Sequence, residues 1–183
     1  MTVSRCRWCN LKNPIYVKYH DGEWGTLRTD DAYLFEMLLL ESFQSGLSWE
    51  CVLNKREAFR RAFDGFDAQK ISEYTEEKLA SLAEDKSIIR NRRKIRAAVT
   101  NAAIFLDAAR EFGSFYDYIR SFAGDNIIIE NDKTSSPLSD AMSRDLRRRG
   151  GKFLGTTVVY SYLQAVGIIN SHEDYCYLAS NCR

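Results

Sequence analysis

The chain is 183 residues long, with a formal net charge of +1, 45% hydrophobic residues and 28% charged residues. This composition is typical of a globular protein and argues against a disordered chain or a coiled coil. We predict a single domain over residues 1–183. No apolar run approaches the roughly 20 residues that a membrane span needs, and the N-terminus lacks the apolar core of an export signal. The sequence therefore predicts a cytoplasmic protein without membrane contact.

Apolar residues recur at helical spacing along most of the chain, which predicts an all-α fold. Thr75 is a predicted helix start, and Gly113 and Gly124 are predicted helix ends, because these residue types favour caps. A polar loop is expected at residues 124–138, where the isoleucines at 127–129 are a candidate for a short extended segment. In chain order, the predicted helices cover residues 29–41, 49–63, 75–82, 92–112, 115–123, 139–149 and 156–167.

Cysteine and histidine are concentrated at the two ends of the chain, and both histidines stand near cysteines. Zinc prefers four tetrahedral nitrogen and sulfur ligands, and a site with all four filled has no open position for catalysis. The pattern predicts one structural zinc ion per chain that joins the two ends, and unliganded thiols are the alternative. The candidate ligands are Cys6, His20, His172 and Cys176, with Cys9 and Cys182 as competitors.

A basic turn with several glycines lies between the last two predicted helices. Helix N-termini and glycine-rich turns offer free N–H groups to a phosphate, and nearby basic side chains add positive charge. Basic residues cluster at 90–96 and 144–152, which suits one face for a polyanion. We predict contact with the DNA backbone here, and an ordinary glycine-capped turn is the alternative. The predicted contact residues are Gly150, Gly151, Lys152, Gly155 and Thr156.

Residues 8–49 hold all three tryptophans of the chain and several tyrosines, together with Glu41 at the end of an apolar helix. A flat cationic ligand stacks on aromatic rings and pairs with a carboxylate. The alternative is that the rings belong to the core and that Glu41 is solvated. With both histidines committed to zinc, none remains for a Ser–His or Cys–His nucleophile pair. The candidate ligand-binding rings are Trp8, Tyr16, Tyr19, Trp24 and Trp49.

Seven sequence blocks occur in the order typical of a known family and together cover nearly the whole chain. The blocks are residues 6–8, 16–25, 34–36, 40–49, 88–95, 152–157 and 170–176. Together they resemble the DNA-3-methyladenine glycosylase I family, within the helix-hairpin-helix DNA glycosylase superfamily. The chain departs from the usual pattern at Leu27, at residues 42–43 and 86–87, and at Gly151, where an aromatic residue is usual. The last two departures affect a turn and the DNA-binding hairpin.

The resemblance implies a two-lobed, all-α fold with a helix-hairpin-helix at about residues 139–167. It implies a zinc ion that joins the terminal segments and a base pocket built around one carboxylate. The implied zinc ligands are Cys6, His20, His172 and Cys176, and Cys9 and Cys182 are then bystanders. The implied pocket consists of Glu41, as the catalytic carboxylate, with Tyr16 and Trp49 and also Tyr19, Trp8 and Trp24.

The implied activity is hydrolysis of the N-glycosidic bond of 3-methyladenine in alkylated double-stranded DNA. The reaction releases the free base and leaves an abasic site, as the first step of base excision repair. We expect an enzyme that cuts no DNA strand, because no amine nucleophile is identified in the pocket. We also expect the enzyme to be a monomer. The alternative function is a zinc-containing helix-hairpin-helix protein that binds nucleic acid without catalysis.

Overall fold

The computed structural model describes residues 3–179, so Cys182 lies outside the described residues. This part of the chain is mostly helical, with one short parallel sheet and a 3-10 turn at Asp64–Phe66. The first helices are α1 (Pro14–Gly22), α2 (Asp31–Gln44), α3 (Trp49–Leu53), α4 (Arg56–Ala62) and α5 (Ala68–Ser72). The later helices are α6 (Glu76–Glu84), α7 (Arg92–Phe112), α8 (Phe115–Ala123), α9 (Pro137–Arg148) and α10 (Thr156–Ala165), and the strands are β1 (Ile128–Ile129) and β2 (Ile169–Asn170).

Most of the predicted helices begin and end at residues with local capping chemistry. The Asp30 side chain accepts a hydrogen bond from the Tyr33 N–H at 2.9 Å and caps α2. Thr75 and Ser114 cap α6 and α8 in the same way. Gly113, at φ 101°, ends α7, a backbone conformation that glycine adopts at little cost. The predicted helices at 75–82, 92–112 and 115–123 are therefore confirmed.

Three parts of the helical prediction are wrong, and one of them is that no helix was predicted at α5 (Ala68–Ser72). The predicted helix at 49–63 is two helices, α3 and α4, and Asn54 at the break accepts a hydrogen bond from Asn13 at 2.9 Å. Helix α1 lies in a region for which no helix was predicted. Its signal is present in the sequence, because Asn13 caps the helix and Pro14 occupies its first turn. The density of aromatic residues there obscured the helical period.

Helix α2 is the centre of the hydrophobic core. Its residues 34–43 are all buried, and it packs against α3, α7, α8 and α10. The loop predicted at 124–138 contains β1, as the three isoleucines suggested, and β1 pairs in parallel with β2 through Ile128 and Ile169. This pairing ties the loop to the segment that follows α10. Within residues 3–179, no helix is long and apolar enough to cross a membrane.

Candidate functional site

One cavity of about 330 Å³ brings the predicted aromatic residues and the predicted carboxylate together. Helix α1 contributes two rings, α2 contributes the carboxylate, and α3 contributes a ring from its first residue. Residues far apart in the chain therefore line a single space. The predicted residues that line it are Trp8, Tyr16, Tyr19, Trp24, Glu41 and Trp49.

Glu41 is a buried carboxyl group, with 3% of its surface exposed, so the alternative of a solvated helix-end residue is wrong. Its Oε2 atom has no hydrogen-bond partner among the described residues. Burial raises the pKa of Glu41 to about 8. By contrast, Glu23 and Glu36 both form ion pairs with Arg56, at 2.6 and 2.7 Å. Unlike Glu23 and Glu36, Glu41 therefore has a buried carboxyl oxygen that is available to a ligand.

The rings near Glu41 form two groups of contacting aromatic residues, which together make an aromatic wall of the cavity. The ring centroids of Trp8 and Tyr16 are 5.5 Å apart, those of Trp8 and Trp24 are 4.7 Å apart, and those of Tyr19 and Trp49 are 5.3 Å apart. Burial raises the pKa of Tyr16 to about 12, so its hydroxyl stays protonated at neutral pH and keeps a hydrogen to donate. The buried Nε1 of Trp49 has no acceptor among residues 3–179. The wall therefore offers both flat surfaces and unused polar atoms.

Trp49 reaches the cavity because of a tight connection between α2 and α3. Gly46 has a φ of 82°, and the Leu47 N–H donates to the Gln44 carbonyl at 2.6 Å. The Ser48 side chain then caps α3 by accepting from the Cys51 N–H at 3.2 Å. This turn places the first residue of α3 beside the last turn of α2, which carries Glu41.

The cavity also has polar lining residues that were not predicted. Gln44 had a usable signal, because it follows Glu41 by three residues on the same helix and so shares its face. The loop residues had none, because the pairing of β1 with β2 brings them to the cavity. The unpredicted lining residues are Arg7, Gln44, Asn131, Asp132, Lys133, Ser161, Gln164, Ser171 and Glu173.

A second buried cluster brings the two ends of the chain together. Ligand atoms of Cys6, His20 and Cys176 all lie within 4.8 Å of one another, and all three residues are buried. The Nδ1 atom of His20 lies 2.9 Å from a carboxylate oxygen of Asp21, which Arg5 holds through two 2.7 Å hydrogen bonds. A proton on Nδ1 leaves the Nε2 lone pair as an acceptor, and Nε2 lies 3.3 Å from the Cys6 N–H, which donates to it, and 3.6 Å from the Cys176 sulfur. This cluster can hold a metal ion.

His172 lies at the edge of this group, and its ring centroid is 5.5 Å from that of His20. Its Nδ1 atom is 2.9 Å from Asn170 Oδ1, while its buried Nε2 has no partner among the described residues. Burial lowers the pKa of His172 to about 4, so the ring is neutral, which is the form that binds metals. A Cβ on Gly25 would lie 2.5 Å from the His172 ring, so the ring packs directly against the backbone.

Cys9 is buried near the same cluster but is not part of it. It lies outside the group formed by Cys6, His20 and Cys176, and its sulfur is 3.9 Å from the Tyr16 carbonyl. The other competing ligand, Cys182, falls outside the described residues. Of the predicted ligand set, the structure therefore groups three residues closely and places the fourth beside them.

The turn between α9 and α10 uses several of its own backbone amides. The N–H groups of Gly150 and Gly151 donate to the carbonyls of Arg147 and Leu146, at 3.0 and 2.8 Å. The Lys152 N–H donates to Asn101 Oδ1 at 3.0 Å. These three amides are not available to a phosphate, which corrects the expectation that the whole turn offers its N–H groups. The amides of Gly155 and Thr156 have no backbone partner within residues 3–179. Gly155 precedes α10 and provides no side-chain cap.

The basic side chains near this turn fall into two groups. Arg148 and Arg149 pair with Asp145, and Arg149 also pairs with Glu111, so these cations are neutralised. Arg144, Arg147 and Lys152 line a shallow groove with the turn and form no ion pair among the described residues. The two predicted basic clusters lie close together here. The guanidinium of Arg93, in the cluster at 90–96, is 6.0 Å from the ring centroid of Phe153, which directly follows the cluster at 144–152.

These features define a mostly helical protein with an aromatic cavity built around a buried carboxyl group and a basic turn between two helices. A model of the methyladenine glycosylase family matches residues 8–179. DNA-3-methyladenine glycosylase 1 of Escherichia coli strain K12 is 41% identical over 180 residues, which cover 95% of this chain and 96% of that protein. The chain belongs to the methyladenine glycosylase family.

Solved structures agree with this assignment. The crystal structure of a 3-methyladenine DNA glycosylase I matches with a TM-score of 0.90 at 42% identity, over 95% of this chain and 98% of the other. A variant of a 3-methyladenine DNA glycosylase I, crystallised in complex with 3-methyladenine, matches with a TM-score of 0.90 at 31% identity. That match covers 94% of this chain and 96% of the other.

Proposed function

We propose that this protein hydrolyses the N-glycosidic bond of 3-methyladenine in alkylated double-stranded DNA and leaves an abasic site. The observation that carries the proposal is the buried, unpartnered carboxyl of Glu41 within an aromatic cavity. The family to which this chain belongs, and the relatives named DNA-3-methyladenine glycosylase, support the same reaction. We further propose that it acts as a monomeric, single-domain enzyme in the cytoplasm, where bacterial DNA lies.

The chemistry of the substrate fits a cavity of this kind. Methylation at N3 gives the adenine of a nucleotide a positive charge, which makes the base a good leaving group without a strong general acid. A base that leaves the DNA stack can lie between the rings of Tyr16, Tyr19 and Trp49, and stacking of this kind is worth roughly 1–3 kcal/mol per base. Its charge can then meet the Glu41 carboxylate.

The raised pKa of Glu41 makes recognition depend on charge. At a pKa of about 8, much of this carboxyl group is protonated at neutral pH in the free protein. An entering cation lowers the pKa, because an opposite charge nearby favours the ionised form. The carboxylate therefore forms where a cationic base is bound. The same negative charge stabilises the positive charge that develops on the sugar as the bond breaks.

Incubation with methylated duplex DNA tests the function directly. We expect release of free 3-methyladenine, identified by chromatography, and abasic sites without strand breaks. Unmethylated duplex of the same sequence is the control, and it should release no base. Tight binding to both duplexes with no base released would instead support the alternative of a non-catalytic DNA-binding protein.

We propose that α9, the intervening turn and α10 form the helix-hairpin-helix that contacts the DNA backbone. The support is the pair of unpartnered amides at Gly155 and Thr156, at the positive end of α10. Lys152 is exposed beside them, and Gly150 and Gly151 shape the turn. A Cβ on Gly151 would lie 2.8 Å from the Leu146 carbonyl oxygen, so a larger residue there would require this turn to shift.

Replacement of Lys152 measures this contact. Lys152→Ala should weaken binding to methylated and plain duplex equally, because a phosphate contact reads no sequence. The dependence of log affinity on log salt should become shallower by roughly one counterion. Lys70→Ala, which removes an exposed lysine of α5, is the matched control and should leave the slope unchanged. Equal slopes in parent and Lys152→Ala would remove Lys152 from the interface.

We propose that Cys6, His20, His172 and Cys176 hold one structural zinc ion that joins the chain ends. The support is the convergence of three of these residues and the buried, unpartnered Nε2 of the fourth. Asp21 and Asn170 fix the outer nitrogens of the two histidines, as partners of metal ligands commonly do. A zinc ion bound by four such ligands supplies cross-linking and folding free energy rather than an activated water.

A further inference from the structure

Helix α7 carries two polar side chains on its buried face, Lys94 and Asn101, with 5% and 1% of their surface exposed. The Lys94 ammonium donates to the carbonyls of Phe43 and Ser45, at 2.8 and 2.5 Å. Both carbonyls belong to the C-terminal end of α2, where the helix dipole is negative. Lys94 is therefore a buried cation that caps α2 from another helix.

This end of α2 leads directly into the base cavity. Glu41 lies in the last turn of α2, and Ser45 begins the tight connection that ends at Trp49. The Leu47 N–H inside this connection donates to the Gln44 carbonyl at 2.6 Å. The two Lys94 hydrogen bonds thus anchor the segment that sets the position of Trp49 relative to Glu41.

The same face of α7 also holds the turn between α9 and α10. The Lys94 Nζ atom is 5.8 Å from the ring centroid of Phe153, within the range of a cation–π contact. Asn101, two helical turns further on, bonds to both the N–H and the carbonyl of Lys152, each at 3.0 Å. Phe153 keeps a φ of 57°, a conformation that non-glycine residues hold only when their surroundings enforce it.

We propose that Lys94 is a positioning residue that links the turn at residues 149–155 to the base cavity, so that a change in one alters the other. Lys94 is the shared contact, because its ammonium touches the end of α2 and the Phe153 ring at once. Its effect on base release rests on the function proposed above. The link itself does not, because it concerns the geometry of the protein alone.

The first test replaces Lys94 with methionine, which keeps the length of the side chain and removes its charge and donors. We expect amide hydrogen exchange at Leu47 to become about tenfold faster and release of 3-methyladenine to fall by roughly tenfold or more. Lys70→Met is the control for the loss of an exposed lysine and should change neither rate. A folded Lys94→Met protein with parental exchange at Leu47 would overturn the proposal.

The second test is a double-mutant cycle with Phe153→Leu, read at a site that Phe153 does not touch. In the parent, Phe153→Leu should speed exchange at Leu47 by about threefold, and in Lys94→Met it should have no further effect. Independent, multiplying effects would mean that Lys94 only caps α2, which also overturns the proposal. If Lys94→Met fails to fold, Lys94→Arg takes its place, because it keeps the charge with a different donor geometry.

The two proposals fail in different ways. A parent protein that releases no base from methylated DNA disproves the proposed function, while the exchange cycle still decides the role of Lys94. A parent that releases 3-methyladenine but shows no effect of Phe153→Leu at Leu47 retains its function and loses the link.

Discussion

Two buried polar regions of this protein differ in how their polar atoms are used. In the cluster of cysteines and histidines, the outer nitrogens of His20 and His172 have partners, and the ligand atoms of Cys6, His20 and Cys176 converge. In the cavity, Glu41 Oε2 and Trp49 Nε1 have no partner among the described residues, and both residues line the open space. The first region can hold a metal ion. The second is an open cavity lined by aromatic rings.

Buried polar atoms without partners are costly, so both regions reduce stability unless a ligand compensates for them. The regions share one wall, because Trp8 lies 5.2 Å from the His20 ring and Trp24 lies 4.7 Å from the His172 ring. Both tryptophans also line the cavity. A site that joins the chain ends therefore also supports one side of the ligand site. Changes to either region should separate structural from catalytic effects.

The largest effect is expected from Glu41→Gln, which keeps the shape of the side chain and removes its charge. Base release from methylated DNA should fall by about 10²- to 10³-fold, measured under single-turnover conditions, because charge stabilisation in a dry site is lost. The zinc content should stay the same. Glu57→Gln, on the exposed side of α4, is the control and should retain parental activity. Parental base release by Glu41→Gln would move the catalytic role to another acid.

The next effect is expected from Cys176→Ser, which should abolish zinc binding. Elemental analysis should show about one zinc per chain in the parent and none in the variant. The free energy of unfolding should fall by about 3 kcal/mol or more, because binding of the metal is coupled to folding. Base release by the protein that remains folded should fall much less. Cys9→Ser and Cys182→Ser are the controls, and loss of zinc in either would show that the ligand set is wrong.

A smaller effect concerns the pH dependence of stability. Glu41 has a pKa of about 8 when folded and an ordinary value of 4.5 when unfolded, so the folded state binds more protons between these values. Its contribution to stability is therefore greatest below the unfolded pKa and declines as the pH rises toward the folded pKa. Relative to Glu41→Gln, the parent should lose about 1.4 kcal/mol per pH unit between roughly pH 5.5 and 7.5. Urea unfolding at several pH values measures this difference, and parallel curves would contradict it.

The smallest effect is expected from Trp49→Ala, which removes one stacking surface without touching the cluster of cysteines and histidines. The affinity for free 3-methyladenine should weaken by roughly 1–3 kcal/mol, measured by calorimetry. The zinc content should not change, because Trp49 contacts Tyr19 rather than a histidine. Trp8→Ala provides the contrast, since Trp8 contacts both regions and its loss should affect base affinity and zinc retention together. Unchanged base affinity in Trp49→Ala would make this ring part of the core.

Local signals in the chain were enough to predict several helix ends and the residue types of both regions. Thr75, Ser114 and Gly113 mark helix ends through contacts within a few residues, so no tertiary contact is needed to find them. The cysteine and histidine pattern and the acidic, aromatic stretch were equally visible. The break at Asn54 was not, because its partner Asn13 lies in a different helical segment.

Which polar atoms remain without a hydrogen-bond partner depends on packing between distant segments. From the sequence, Glu41 could face either solvent or a cavity. In the structure, the packing around α2 buries it and leaves one carboxyl oxygen without a partner. The amides of Gly150 and Gly151 donate hydrogen bonds within the turn, and the amide of Lys152 donates to Asn101 on α7. Residues 131–133 and Ser171 line the cavity because β1 pairs with β2. Helix caps depend on neighbours in sequence, whereas burial and free hydrogen-bonding atoms depend on what distant segments bring alongside.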